Sequence, residues 1–188
     1  MRMAHLVALC LLALVCGCTS TDAVLDVPLA ETIGASDARG HFNVEALAGI
    51  ETRFDGDTGI FKCVKPVCTE PVTAFFQMAT LTQDQQELLA ADKAKGYADL
   101  SNEVSNTFIL PGDGTPQSFV KSAPVLMASA GITGMEQTIA GHASHPGPRS
   151  GHVIIMADRG QSSVIIALAQ SQAAATKFAR RLRDAWRP

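Results

Sequence analysis

The chain has 188 residues, 47% of them hydrophobic and 18% charged, with a formal net charge of −3. That is enough apolar material for one packed domain and too much for a disordered chain, and without a basic excess a nucleic-acid binder is excluded. One Trp, one Tyr and eight Phe leave most of the core to Val, Ile, Leu, Ala and Met.

Arg2 opens the chain, and an apolar stretch runs from Ala4 to Val15, broken by His5. A bilayer span needs about 20 residues, so this stretch fits the apolar region of a secretory signal instead. Val15-Cys16-Gly17-Cys18 closes it, and the polar run Thr19-Ser20-Thr21-Asp22 follows at once. Those four residues resemble the lipobox of bacterial lipoproteins, in which a small residue precedes a cysteine that receives lipid and becomes the mature N-terminus. The resemblance implies a signal peptide over residues 1–17, a fatty-acylated Cys18 (palmitate or a similar chain) and an address in the cell envelope. Thr19 in place of Asp after the cysteine implies the outer membrane, facing the periplasm. The expected partners are the membrane, through the anchor on Cys18, and a second envelope protein.

Cleavage before Cys18 would leave 14 basic and 18 acidic residues, a net charge of −4. Residues 177–188 hold Lys177, Arg180, Arg181, Arg183 and Arg187 against Asp184, a local +4 beside −8 on the rest of the mature chain. Residues 18–40 mix Thr, Ser, Asp, Gly and Ala and read as a lipidated tether, with a first strand through Val24–Val27 as the alternative. The domain proper is then residues 41–188.

From His41 the signals are mixed. Phe42 to Phe54 suggests a strand around Ile50, interrupted by Gly49 and Gly56. Ile60–Cys63 and Val72–Met78 read as paired strands, with Val72, Ala74, Phe76 and Met78 on one face. Thr82, with Gln85 three residues on, makes a capping box for a surface helix whose apolar side is Leu88, Leu89 and Ala91 and whose stop is Gly96. The Asn, Gly and Pro content of residues 101–123 reads as a loop. Pro124–Ala130 and Met135–Ala140 follow as strands separated by Gly131 and Gly134.

The clearest unit comes last. Val153–Met156 and Ser163–Leu168, joined through Asp158-Arg159-Gly160, read as a hairpin whose continuous apolar runs need cover on both faces. Ser171 caps a final helix in which Ala174, Phe178, Leu182 and Ala185 recur at helical spacing, with cations favouring its C-terminal dipole end. Hairpins in place of βαβ crossovers predict one α+β domain: an antiparallel sheet, a C-terminal helix across it and a second surface helix. The pattern of elements from Ser122 through Trp186 is similar to PsbP/Mog1-like domains, which implies the same hairpin-then-helix arrangement and no particular chemistry.

Two groups could carry chemistry. Cys63 and Cys68 survive signal cleavage, and an exported protein permits a disulfide. In a straight strand they would lie about 16 Å apart, so a bridge requires a turn at Val64–Val67, to which Pro66 is suited. His142, His145 and His152 cluster in Gly-His-Ala-Ser-His-Pro-Gly-Pro-Arg-Ser-Gly-His, a spacing able to surround a transition metal. With Pro146, Gly147 and Pro148 between them and no acid nearby, solvated or strand-edge histidines on a connection are the plainer reading. No Gly-x-Ser-x-Gly elbow, calcium loop or phosphate-binding glycine pattern is present, so no cofactor is expected. The expectation is a non-catalytic binding or assembly module on the membrane; the rival is a metal-dependent or hydrolytic enzyme built on the 142–152 segment.

Overall fold

Alternating apolar residues after Ile50 build antiparallel strands, and a computed structural model describes residues 37–107, 120–129, 132–140 and 148–187. Two 3₁₀ turns, Ala38–His41 and Val44–Leu47, lead into β1 (Glu51–Asp55), β2 (Thr58–Cys63) and β3 (Val72–Thr80). Two helices follow, α1 (Gln83–Ala91) and α2 (Lys93–Thr107). Then come β4 (Val120–Lys121), β5 (Val125–Ser129), β6 (Ile132–Ala140), β7 (Ser150–Asp158), β8 (Gln161–Ala169) and α3 (Gln172–Ala185). The single antiparallel sheet has the order β1-β2-β3-β8-β7-β6-β4, and β5 lies along the other half of β6. The fold is α+β, with α3 packed across the sheet.

The β7–β8 hairpin shows why this region was legible. Arg159 and Gly160 have φ of 46° and 80°, the pair of positive values that a two-residue turn needs to match strand twist, and glycine takes the second without strain. Register runs from Asp158↔Gln161 to Ser150↔Ala169. Residues of even number in β7 and odd number in β8 then face one way, and their neighbours the other. On the first face Ile154, Met156, Ile165 and Ala167 join Ala74 and Phe76 of β3 beneath Phe178, Ala179 and Leu182 of α3. On the second, Val153, Ile155, Val164 and Ile166 join Tyr97 and Leu100 of α2. Both faces are covered, as the continuous apolar runs require.

The capping box is present: Thr82 N donates to Gln85 Oε1 at 2.8 Å, and Gln85 N to Thr82 Oγ1 at 3.3 Å. The helix it opens lies on the surface with no fully buried residue; Leu88 and Leu89 are half-buried and Ala91 is exposed. Gly96 is not its stop. The chain turns at Asp92, whose Oδ1 accepts from Lys95 N at 3.1 Å and so starts α2, and Gly96 lies inside that second helix. A Cβ at position 96 would stand 2.8 Å from Leu89 Cδ2, so glycine lets the two helices close on each other. Of the loop expected over 101–123, residues 108–119 lie outside the described residues, and its start is corrected: α2 runs on to Thr107, anchored by buried Tyr97 and Leu100.

Near the start of the domain, the strand expected around Ile50 begins at Glu51 as β1, and the residues before it form the two 3₁₀ turns. Phe42 forms an isolated antiparallel bridge with Trp186, and its ring packs edge-on against Phe76 at 4.8 Å between centroids. Asn43 N donates to Ala185 O at 2.8 Å, and Arg187 N to His41 O at 2.7 Å. The first turn therefore clasps the end of α3. Ala38 is fully buried, so packed structure starts a few residues before His41. At the other end of α3, Ser171 is the N-cap, and Glu70 Oε1 accepts from Ser171 N at 2.8 Å, placing a carboxylate at the positive helix end.

Candidate functional site

Cys63 and Cys68 are bonded, with Cα atoms 5.8 Å apart across a turn at Val64–Val67, where Cys68 N donates to Val64 O at 3.1 Å. Cys63 ends β2 opposite Val72 and is 1% exposed, so the bridge ties the loop between β2 and β3 into the core. Closing so small a loop stabilises by about 2 kcal/mol in the chain-entropy description.

Of the three histidines, His142 and His145 lie outside the described residues. His152 belongs to neither a solvated loop nor a strand rim: β7 begins at Ser150, and His152 shares parity with Ile154 and Met156, so its ring points beneath α3 and is 2% exposed. Across the β6–β7 ladder it faces Thr138, which leaves Glu136 on its diagonal, within reach of a long side chain. From above, Thr176 and Arg180, one helical turn apart, descend on the same spot.

The result is a closed polar array. His152 Nε2 lies 3.2 Å from Glu136 Oε2, and its Nδ1 lies 3.1 Å from Thr176 Oγ1. Arg180 clamps the carboxylate with both arms, Nη2 to Oε1 at 2.6 Å and Nε to Oε2 at 3.0 Å. Gln172 Nε2 donates to Gly151 O at 2.9 Å and to Thr176 Oγ1 at 3.2 Å. An ionised carboxylate only accepts, so in the neutral ring Nε2 carries the proton and Nδ1 accepts from the Thr176 hydroxyl. Along the line from Gln172 to Thr176 to His152 to Glu136, each donor then has an acceptor.

The electrostatics agree with that arrangement. The Arg180 guanidinium holds the Glu136 carboxyl below its usual range; burial opposes this and His152 assists. Burial pushes the His152 ring below its ordinary value; Glu136 pulls the other way, and the positive charges of Arg180 and Arg183 add to the depression. The ring is therefore neutral near pH 7.

Histidine between a carboxylate and a hydroxyl is the set of groups used in acid–base and nucleophilic catalysis. The carboxylate comes from Glu136, brought in by the sheet. Two features work against turnover here. The bidentate Arg180 contact weakens Glu136 as a proton acceptor, and both ring nitrogens of His152 are already engaged, leaving neither to a metal or a substrate. Among the described residues no three His, Cys, Asp or Glu side chains converge as a metal site. Sequence reasoning missed Glu136, Thr176 and the role of Arg180; the shared parity of His152 with Ile154 and Met156 was the available signal.

Two of the outer strands, β1 and β5, differ in character. β1 carries Glu51, Arg53 and Asp55, charges that discourage strand addition. β5 is Val-Leu-Met-Ala-Ser without a charge, and Val125 and Leu126 are 58% and 51% exposed. Among the described residues no helix is long and apolar enough to cross a membrane. No protein-family description matches the chain, and no curated protein matches it.

Proposed function

We propose that the protein is an exported lipoprotein, anchored in the cell envelope through lipid on Cys18, whose domain acts by binding a partner rather than by turning over a substrate. The observation that carries the address is the apolar stretch ending in Val15-Cys16-Gly17-Cys18 and followed at once by polar residues. The Cys63–Cys68 bridge supports it, because disulfides persist in oxidising compartments outside the cytosol. The binding reading draws on the polar array, whose groups are all spent on one another, and on the uncharged outer strand β5 with its two exposed apolar side chains. An unguarded strand of this kind suits backbone pairing with an extended segment of another envelope protein.

One observation favours a second reading, a hydrolytic enzyme: His152 does meet a carboxylate and a hydroxyl. The two readings separate on paired substitutions. A photo-crosslinking residue at Leu126 should capture a discrete partner in membranes, while Thr176→Val should leave the phenotype associated with the protein unchanged. Loss of that phenotype in a folded Thr176→Val protein, with no crosslink at Leu126, would refute the binding reading and favour the enzyme.

A further inference from the structure

Basic charge is gathered along one ridge of the domain, at the end where the chain from Cys18 enters it. Ala173, Lys177, Arg180 and Asp184 are exposed on α3, and their spacing puts them in one line on its outer face; Arg187, just past the helix end, is exposed as well. Arg180 is answered by Glu136 and Arg183 by Asp184, but Arg181 bonds the neutral carbonyls of Ala46 and Ala48 and keeps its charge. Lys177 and Arg187 have no ion-pair partner among the described residues. The acidic excess of the chain lies elsewhere, as residues 177–188 carry +4 in a chain of net −3.

The second observation concerns where the chain enters. The first 3₁₀ turn, Ala38–His41, is pinned to the C-terminal end of α3: Arg187 N donates to His41 O at 2.7 Å, and His41 Nδ1 lies 3.0 Å from Arg187 O. Any pull transmitted from Cys18 to Asp37 therefore acts on the basic corner of the domain. The intervening chain spans at most about 65 Å when fully extended, so nothing in its length keeps the ridge from a bilayer surface.

We propose that the outer ridge of α3, from Lys177 to Arg187, rests on a layer of anionic lipid headgroups, so that the domain lies down on the membrane it is anchored to. This rests on the reading that Cys18 is lipidated. Cations near an anionic leaflet are attracted within a Debye length of roughly 8 Å, and a tether of this length lets the ridge come within that range.

The test uses the lipidated protein, extracted in detergent and reconstituted into either zwitterionic vesicles or vesicles with one part in three of an anionic phospholipid. Lysine acetylation is then followed residue by residue by mass spectrometry. Lys62, Lys93 and Lys95 are exposed; Lys93 and Lys95 belong to α2 on the opposite face of the sheet, and all three serve as references. In anionic vesicles Lys177 should be labelled more slowly than the references by roughly tenfold, with protection lost at high salt, in zwitterionic vesicles and in Arg187→Glu. A protein that floats with anionic vesicles yet shows Lys177 labelled as fast as Lys93 would overturn the proposal while leaving the anchor intact. Protection in native membranes but not in pure anionic vesicles would also overturn it, and would assign the ridge to an acidic protein. A protein that floats with neither vesicle would instead refute the lipid anchor.

Discussion

Truncating Phe178 to alanine tests the packing of α3 on the sheet. Phe178 is 2% exposed and lies in the layer that Ala175, Ala179 and Leu182 of the helix share with Ile154, Ile165 and Phe76 of the sheet. Ala175 and Ala179 beside it on the helix are held by backbone and cannot move into the vacated space, and Leu182 is already fully buried. A buried Phe→Ala change of this kind costs about 3–5 kcal/mol, the sum of lost transfer energy and an unfilled cavity. In a domain of this length that lowers Tm by roughly 6–20 °C. Urea titration followed by circular dichroism should show the midpoint falling with an unchanged slope, since the surface exposed on unfolding is nearly the same. Lys177→Ala, one residue earlier and exposed, should change stability by less than about 0.5 kcal/mol. A loss under about 1 kcal/mol for Phe178→Ala would put that residue outside the core and refute the helix orientation.

Other outcomes follow from the same geometry. His152 has a folded-state value depressed below 6.5, so as pH falls the unfolded chain takes up the proton first. The His152 contribution is complete above about pH 6.5 and declines as pH drops from there toward the depressed value; His152→Gln should flatten that part of a stability–pH curve. Glu136, depressed below 4.5 chiefly by Arg180, adds a second loss as pH falls below about 4.5 toward the depressed value, and Arg180→Ala should shrink that loss. Replacing Cys63 and Cys68 together with Ser should cost about 2 kcal/mol, measured against wild type under non-reducing conditions. Leu126→Lys should leave stability within about 0.5 kcal/mol and abolish capture of a partner by crosslinking at Val125.

What could be read in advance was local. The capping box at Thr82–Gln85, the turn at Asp158–Gly160 and the spacing of Phe178, Leu182 and Ala185 each depend on residues within a few positions of one another. The length of the second helix was hidden, because Gly96 and the asparagines after it carry the composition of a stop and a loop, while the contacts that hold Tyr97 and Leu100 come from the sheet. The polar array was hidden for a related reason. Glu136 and His152 are sixteen residues apart and meet on a diagonal fixed by β6–β7 register, and Thr176 and Arg180 reach them only once α3 is laid across the strands. Proximity along the chain grouped His152 with His142 and His145; strand parity assigns it to the core face instead.

The address of the protein is the claim on which the rest depends, and the mature N-terminus tests it most directly. Mass spectrometry of the N-terminal peptide, taken from the membrane-extracted protein, should find a chain beginning at Cys18 with acyl chains on that cysteine, and Cys18→Ser should abolish both the cleavage and the lipid. A chain that retains Arg2, or a Cys18 with an unmodified thiol in protein recovered from membranes, would contradict the account.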